Sequence, residues 1–367
     1  MFMKIAIPKE TYPGEKRVAM IPPILKKLKN LDFEVGCEAM LGTSLGIHDS
    51  IYQESGACIY TDRKKLLEEA DIILRVRPSP LDEVKYLKPG SVTIGFSDPV
   101  KEHHLIEAFV KQKAASISFQ KIPRTSIAQK MDALSSQSNL AGYAAVIMGA
   151  AQMKRILPMM TTPAGTIPPA NVLVIGAGVA GLQAIATAKR LGARVDAYDT
   201  RPEAAEQVKS LGARFIQLEI GKIEKTSDGY TKGISDRQLA SQQDQLLMHL
   251  KKADLVITTA QIPGRAAPKI ITGNMLNVMQ YNSVLVDMAV ETGGNIEESK
   301  PNEVVSTKGV HILGLGNLPS QVADHASYLY STNIYNLINH FYDSENKSFP
   351  QNRQDELLKQ CLASQYH

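Results

Sequence analysis

The segment from Val172 to Asp199 constrains the fold of this chain more than any other part of the sequence. An apolar run leads into Gly176, Gly178 and Gly181, and a helix-like stretch and a second apolar run follow. The first glycine permits a tight turn, the second lets the backbone approach a pyrophosphate, and the third lets a helix pack on the strand. Phosphates would then lie at the N-terminus of that helix. The pattern predicts a β-α-β unit that binds a dinucleotide.

Asp199 ends the second apolar run, 18 residues after Gly181. A carboxylate at this place accepts hydrogen bonds from a ribose diol and repels a 2′-phosphate, so we predict NAD rather than NADP. Arg201 weakens that preference, because an arginine here can meet a phosphate. Three glycines alone often mark only a turn, but the strand, the helix and the acidic residue together favour dinucleotide binding.

Strand-like and helix-like segments alternate along most of the chain. At 367 residues and 44% hydrophobic, the chain can bury two cores. The strand-like runs are Lys4–Pro8, Phe33–Cys37, Ile72–Val76, Ser91–Gly95 and Ala115–Phe119, then Val172–Ile175, Arg194–Tyr198, Arg214–Gln217, Leu255–Thr258, Ser283–Asp287 and His311–Leu313. We predict an α/β protein with two Rossmann-like, doubly wound parallel-sheet domains, joined by long helices with a cleft between them. The first domain is predicted to comprise residues 1–135 and 318–367, and the NAD(H)-binding domain residues 136–317.

Long helices and connecting segments complete the predicted organisation. Helical apolar spacing over Ser136–Ile156 and Ala326–Phe341 predicts the helices that join the domains. The Pro/Thr/Gly-rich stretch Pro158–Pro169 is typical of a linker, and the polar chain from Asp343 onward is expected to fray. The polar segment Gly221–Gly233 is too long for a tight turn and indicates either a functional lid or a disordered insertion.

Charge, cysteine and histidine content exclude several classes of function. The formal net charge of +4, from 41 basic and 37 acidic side chains, argues against nucleic acid as a partner. Cys37, Cys58 and Cys361 show no CxxC spacing and the eight histidines are scattered, so we predict no disulfide framework, metal site or catalytic triad. The apolar stretch Leu140–Met153 is shorter than the ~20 residues that span a bilayer. We expect a soluble cytoplasmic chain without a cleaved leader or direct membrane insertion.

A second informative segment runs from Arg124 to Tyr143. Composition alone predicts a helix start here, capped by Ser135 or Ser136. The run also resembles the motif of domain I of the proton-translocating NAD(P) transhydrogenases, in which an arginine, a glutamine, an aspartate and a serine surround the nicotinamide. The resemblance implies that the catalytic-site residues are Arg124, Gln129, Asp132 and Ser135.

The resemblance covers nearly the whole chain up to about Asn339. Its further motifs are Pro8–Glu10, Arg17–Ala19, Thr258–Ala260, Ile262–Arg265, Asp287–Glu291 and Gly316–Ser320. It implies that NAD(H) binds to this chain and NADP(H) to a partner subunit. The glycine pattern and the resemblance together assign these residues to the cofactor: Gly176, Ala177, Gly178, Val179, Gly181, Asp199, Thr200, Arg201, Gly229, Tyr230, Gln242 and Gln261.

Several of these assignments come from the family alone. The family has Gly229 and Tyr230 in a mobile loop that closes over bound nucleotide, which suits the long polar segment. It also implies nucleotide contacts from Gln242 and from the backbone near Gln261, where relatives more often have an aliphatic residue. One segment of the loop, Lys232–Ile234, lacks the usual acidic residue.

The family also implies a set of partners. Hydride transfer between two nicotinamides needs no protein acid or base, because the cofactors carry the chemistry and the protein supplies distance and orientation. The resemblance implies a proton-pumping, Si-specific/Re-specific NAD(P)+ transhydrogenase that is active only with partner subunits. These are an NADP(H)-binding beta subunit and a membrane-spanning subunit, and the chain itself would be a homodimer. Through them it would lie at the cytoplasmic face of the inner membrane.

Two other functions compete with this interpretation. The fold is shared with alanine dehydrogenase, in which an arginine, a lysine and a histidine act on the keto acid. Arg17 matches the arginine, but Arg75 stands at the place of the lysine and Ser97 at that of the histidine, so a general acid–base is missing. A non-catalytic module that senses NAD(H) would need only the glycine pattern.

Overall fold

The computed structural model describes residues 2–219, 235–262, 265–349 and 355–364. The chain divides into two units, of which unit 1 comprises Met1–Gln137 and Pro319–His367, and unit 2 comprises Ser138–Leu318. Within the described ranges, no helix combines the length and the apolar character that a bilayer span requires.

The regular elements follow the predicted alternation. The strands are β1 (Lys4–Ile7), β2 (Glu34–Glu38), β3 (Ala57–Tyr60), β4 (Ile72–Leu74), β5 (Val92–Gly95), β6 (Ala115–Ser118), β7 (Met160–Thr162), β8 (Gly165–Ile167), β9 (Asn171–Ile175), β10 (Arg194–Tyr198), β11 (Arg214–Phe215), β12 (Leu255–Thr258), β13 (Val284–Asp287), β14 (Val304–Thr307), β15 (Val310–Gly314) and β16 (Leu362–Ser364). The α-helices are α1 (Pro22–Lys29), α2 (Asp49–Glu54), α3 (Arg63–Glu69), α4 (His103–Lys111), α5 (Ala133–Gln152), α6 (Val179–Arg190), α7 (Ala204–Ser210), α8 (Asp236–Leu250), α9 (Ala323–Phe341) and α10 (Glu356–Cys361). Short 3-10 helices are Thr43–Leu45, Leu81–Tyr86, Phe119–Lys121, Ala128–Met131, Met275–Val278, Val290–Thr292 and Leu318–Val322.

Unit 1 is built on a seven-stranded sheet with the order β16-β6-β5-β4-β1-β2-β3. Neighbouring strands are parallel except at the edge, where β16 runs antiparallel to β6. Side chains of α9 such as Tyr330 and Ile334 pack with those of β1 and β4 in one buried cluster. The chain after Asp343 was expected to fray, and for the described residues 344–349 and 355–364 this prediction is wrong. Leu358 and Cys361 of α10 are buried, so burial of apolar side chains holds α10 and β16 on the sheet.

Unit 2 is built on a second seven-stranded sheet with the order β11-β10-β9-β12-β13-β15-β14. Its strands are parallel except for β14, which forms an antiparallel pair with β15. The chain leaves β9 toward β10 on one side and later returns to β12 on the other. In open α/β sheets, ligands bind at such a switch point, outside the carboxyl ends of the strands. The prediction of doubly wound, predominantly parallel sheets is therefore confirmed.

The stretch Pro158–Pro169 is not a linker. It belongs to unit 2 and forms an antiparallel hairpin, β7 with β8, in which Met160 lies opposite Ile167 and Thr161 opposite Thr166. Threonine and isoleucine favour strands, and the four prolines that suggested a linker, at positions 158, 163, 168 and 169, all lie outside the two strands. All six residues of the two strands are exposed.

Candidate nucleotide-binding site

The glycine-rich turn lies between β9 and α6. Gly176 has a φ of +100°, a backbone conformation that side chains with a Cβ rarely adopt. Its amide donates to Tyr198 O at 2.8 Å, and its carbonyl accepts a 3.1 Å hydrogen bond from Thr259 Oγ1. The turn is therefore held by the ends of both neighbouring strands, β10 and β12.

The two other glycines have different surroundings. A Cβ on Gly181 would lie 1.8 Å from the carbonyl oxygen of Gly176, whereas a Cβ on Gly178 would have nothing within 4 Å. Gly181 is thus needed for packing of α6 on the turn, while Gly178 faces open space. Gly178 is also the N-cap of α6 and brings no side chain to cap it. The first-turn amides of this helix can therefore receive an anionic ligand.

Asp199 and Arg201 form one ionic cluster beside this turn. The carboxylate accepts hydrogen bonds from Ala177 N at 2.7 Å, from Arg201 N at 2.8 Å and from Arg201 Nε at 3.0 Å. Arg201 Nη2 also donates to Ala177 O at 3.2 Å. The hydrogen bond to Asp199 raises the pKa of Arg201 above its usual value. Because Asp199 neutralises this guanidinium, Arg201 is not presented alone to a 2′-phosphate.

The remaining residues predicted for the cofactor are placed as follows. Val179 begins α6, and Thr200 is half-buried between Asp199 and Arg201. Gln242 lies on α8, is 1% exposed, and its Oε1 has no hydrogen-bond partner in the described part of the chain. Gln261 is exposed and its Nε2 donates to Met288 O at 3.4 Å. Gly229 and Tyr230 lie outside the described residues.

In unit 1, the segment before α5 carries the residues predicted to surround the nicotinamide. Asp132 Oδ1 accepts from Ser135 N at 2.8 Å and Asp132 Oδ2 from Ser135 Oγ at 2.5 Å. The prediction that Ser135 or Ser136 caps α5 is wrong, since Asp132 precedes the helix and its carboxylate takes the amide of the third helical residue. Ser136 Oγ instead donates to Asn333 Oδ1 at 2.8 Å. Asp132 and Ser135 thus form one hydrogen-bonded pair.

Gln129 and Arg124 are exposed on the same segment. The carbonyl of Lys130 accepts hydrogen bonds from Asn333 Nδ2 at 2.9 Å and from Asn336 Nδ2 at 3.0 Å. These contacts fix the backbone beside Gln129, whose side-chain amide makes no hydrogen bond within the described ranges. Sequence reasoning missed both asparagines of α9. Nothing local marks them, because they act on a backbone carbonyl 203 and 206 positions away.

The three positions compared with alanine dehydrogenase have internal partners. Arg17 is 4% exposed and pairs with Glu15 at 2.7 Å and with Gln137 Oε1 at 2.9 Å. The buried Arg75 pairs with Glu83. Ser97 Oγ donates to Glu102 Oε2 at 3.1 Å. None of these positions carries an imidazole or an amine that could act as an acid–base.

Glu15 gives this region of unit 1 a testable pH dependence. Burial raises the pKa of Glu15, but hydrogen bonds and charge from Arg17, with Ser320 and Arg77, outweigh it and lower the pKa from 4.5 to about 2. A carboxyl with a lowered pKa stabilises the fold above its unfolded pKa, and the contribution is lost as the pH falls through the folded pKa. We expect E15Q to lower the free energy of unfolding by about 3 kcal/mol at neutral pH.

Urea unfolding across a pH series measures this effect. The difference between E15Q and the unmodified chain should shrink below about pH 4.5 and approach zero near pH 2. E54Q, at an exposed position on α2, removes the same charge as a control. A constant difference across the series would contradict the assignment of an ionised Glu15.

Two domain models of one known protein family match successive parts of the chain. The N-terminal domain model of the alanine dehydrogenase/PNT family matches residues 6–141, and its C-terminal domain model matches residues 145–366. Together the two models cover both the Arg124–Ser135 segment and the glycine-rich turn. The chain belongs to the alanine dehydrogenase/PNT family.

Two relatives and one solved structure are similar to the chain over most of its length. It is 45% identical over 363 residues to a Rhodospirillum rubrum protein named as the first portion of NAD(P) transhydrogenase subunit alpha, a match that covers 97% of this chain and 94% of the relative. The solved structure of a Sinorhizobium meliloti transhydrogenase superposes with a TM-score of 0.87 at 42% identity, covering 98% of each chain. Alanine dehydrogenase of Halomonas elongata is 31% identical over 328 residues, covering 88% of this chain and 82% of the relative.

These similarities decide between the two branches of the family. Transhydrogenase alpha subunits are more similar to the chain than alanine dehydrogenases are. The resemblance predicted from the Arg124–Ser135 segment is therefore confirmed, and the transhydrogenase interpretation is favoured over a self-sufficient dehydrogenase. The greater similarity to transhydrogenase subunits agrees with the missing acid–base at Arg75 and Ser97.

Proposed function

We propose that the chain is the NAD(H)-binding subunit of a proton-translocating transhydrogenase and passes hydride between NADH and an NADP+ held by a partner subunit. The observation that carries the proposal is the glycine-rich turn of unit 2. There, Gly178 faces open space at the uncapped start of α6, and Asp199 lies 2.7 Å from the Ala177 amide. This geometry suits a pyrophosphate at the helix N-terminus and a ribose diol at the carboxylate.

The residues of unit 2 fit an NAD(H) molecule in two further respects. Asp199 pairs with Arg201, so no isolated cation is presented to a 2′-phosphate at this place. The buried Gln242 Oε1 lacks a partner among the described residues, and such an acceptor favours a ligand donor. NAD(H) supplies the hydride chemistry when it is bound.

The residues of unit 1 would act on the nicotinamide end. Gln129 positions the ring and its ribose, Arg124 engages the carboxamide side, and the hydrogen-bonded pair of Asp132 and Ser135 orders the segment. None of them has to exchange a proton, because a hydride leaves one nicotinamide and enters the other. Their contribution is distance and orientation, which can supply several kcal/mol of the barrier.

The chain would depend on partners for the second half of the reaction. An NADP(H)-binding beta subunit would bring NADP+, and a membrane-spanning subunit would couple transfer to proton movement in the Si-specific/Re-specific class. The Rhodospirillum rubrum relative is named as one portion of a subunit alpha, which supports such a division among chains. The complex would place this chain at the cytoplasmic face of the inner membrane. Within the chain, Gly229 and Tyr230 would close over the bound nucleotide.

Hydride exchange in a reconstituted mixture tests the proposal. The purified chain, mixed with the NADP(H)-binding domain of a family member, should reduce NADP+ at the expense of NADH. Neither protein alone should do so. Turnover of NADH with pyruvate and ammonium by the chain alone would instead establish a dehydrogenase. NADH binding without either reaction would favour a sensing module.

We infer further that the chain forms a homodimer through the β7–β8 hairpin. Met159, Met160 and Ile167 are 63%, 45% and 48% exposed, and the hairpin is a separate two-stranded sheet. A two-stranded sheet is marginally stable by itself in water, and exposed apolar side chains on it mark an interaction site. A second copy of the chain would cover them.

Paired lysine substitutions on the two faces of the hairpin test this inference. M160K/I167K is expected to convert the dimer to a monomer, because charged side chains at the centre of an apolar interface are strongly disfavoured. T161K/T166K places the same cross-strand lysine pair on the opposite face and should leave the dimer intact. Sedimentation velocity of both variants distinguishes the outcomes, and a dimeric M160K/I167K would refute the interface.

A further inference from the structure

Asn295 of unit 2 has a fully buried side chain whose two polar ends are both used. Its Nδ2 donates to Ala260 O at 2.8 Å and to Pro268 O at 2.9 Å. Its Oδ1 accepts from Ala260 N at 3.0 Å. The side-chain amide thus pairs with both backbone groups of Ala260, as a neighbouring strand would. An amide suits this pairing because it offers a donor and an acceptor side by side without needing a proton.

Ala260 directly follows the residue that holds the glycine-rich turn. Thr259 N donates to Ile175 O at 2.8 Å, and Thr259 Oγ1 donates to Gly176 O at 3.1 Å. The contacts therefore run without interruption from Asn295 through Ala260 and Thr259 to Gly176. Displacement of Ala260 would therefore shift the turn that is proposed to receive the pyrophosphate.

Asn295 is itself held in place by a buried carboxylate. Asp287 Oδ1 accepts from Ala289 N at 3.0 Å and from Asn295 N at 3.2 Å, and Asp287 Oδ2 accepts from Ile296 N at 3.1 Å. Gly294 has a φ of +81°, and a Cβ on it would lie 2.6 Å from Asp287 Oδ2. The backbone before Asn295 therefore fits closely around the carboxylate, and the side chain of Asn295 has little freedom.

We propose that Asn295 is a positioning residue for nucleotide binding, which acts through the backbone of Ala260 and Thr259 on the glycine-rich turn. The inference rests on the proposed function, since it assigns Asn295 to the NAD(H) site of unit 2. The same role would extend to the backbone near Gln261, the residue after Ala260, from which the family resemblance implies a nucleotide contact. If Asn295 only stabilised the loop, its replacement would leave the affinity for NADH unchanged.

The experiment compares N295A with S283A by titration with NADH alone. Ser283 is 3% exposed and donates to Ala253 O at 3.0 Å, so S283A also removes a buried hydrogen bond, but before the start of β13 and away from the turn. We expect N295A to weaken NADH binding about tenfold, and S283A less than twofold, because only N295A leaves the backbone groups of Ala260 unmet beside the turn. N295D, of the same shape, keeps an acceptor for Ala260 N. As a carboxylate it offers no donor to Ala260 O, and at a pH where it is ionised it should weaken binding as N295A does.

Amide exchange of Ala260 without nucleotide provides the second readout. Exchange should accelerate in N295A, which leaves Ala260 N without its acceptor, and remain unchanged in S283A. Unchanged NADH affinity in a folded N295D or N295A, or an equal loss in S283A, would overturn the positioning role. If N295A does not fold, N295D decides alone. Failure of the unmodified chain to bind NADH would refute the proposed function as well, which separates the two outcomes.

Discussion

Replacement of Gly178 by alanine is expected to leave the fold intact and to lower NADH affinity about 10- to 100-fold. Gly178 has φ −76° and ψ −168°, which alanine adopts without strain. A Cβ there meets no protein atom within 4 Å, so no protein contact opposes the change. The methyl group would instead occupy the space in which the pyrophosphate is proposed to approach the backbone.

Gly181 provides the contrasting substitution. A Cβ at this position would lie 1.8 Å from Gly176 O, so G181A must displace α6 or the turn. We expect a loss of about 2 kcal/mol or more in the free energy of unfolding, together with loss of binding. Urea unfolding and NADH titration of both variants separate the two roles. Tight binding by G178A would refute the proposed place of the pyrophosphate.

Replacement of Gln129 by alanine is expected to slow hydride transfer about 100-fold while NADH affinity changes less than about threefold. The side chain is exposed and makes no hydrogen bond within the described ranges, so its removal should not unsettle unit 1. The backbone beside it remains held by Asn333 and Asn336 through Lys130 O. Only the orientation of the bound nicotinamide should change.

The assay for Q129A is single-turnover transfer in the mixture of the chain with an NADP(H)-binding domain. Q53A, at an exposed position on α2, makes the same chemical change elsewhere in unit 1 and should transfer at the unmodified rate. An equal loss of NADH affinity and transfer rate in Q129A would indicate a binding role. Full transfer by Q129A would remove Gln129 from the site.

Short-range patterns were sufficient for much of the fold and for the core of the candidate site. Gly176, Gly181 and Asp199 follow one another within a single β-α-β unit, and their roles depend on φ, on the packing of α6 and on the end of β10. These are local properties, so the spacing of a few residues predicts them. The doubly wound sheets also followed from the alternation of short apolar runs with amphipathic segments.

The wrong predictions concern places where the local sequence is equally compatible with two structures. Three residues near the start of α5 were able to act as its cap, and Asp132 rather than Ser135 or Ser136 does so. The prolines around the β7–β8 hairpin are as compatible with a linker as with the ends of two strands. The polar chain after Asp343 contains only a few apolar residues, and whether they are buried depends on a sheet edge that no nearby residue reveals.

Local sequence therefore specified the turn, the helix and the carboxylate that are proposed to receive NAD(H), because each acts on near neighbours in the chain. The tertiary structure alone decided what holds them. Thr259 reaches the turn across 83 positions, and Asn295 reaches Ala260 across 35. Such contacts depend on which strands become neighbours in the sheet, and a hydrogen bond between a side chain and a distant backbone group leaves no periodic trace in the sequence.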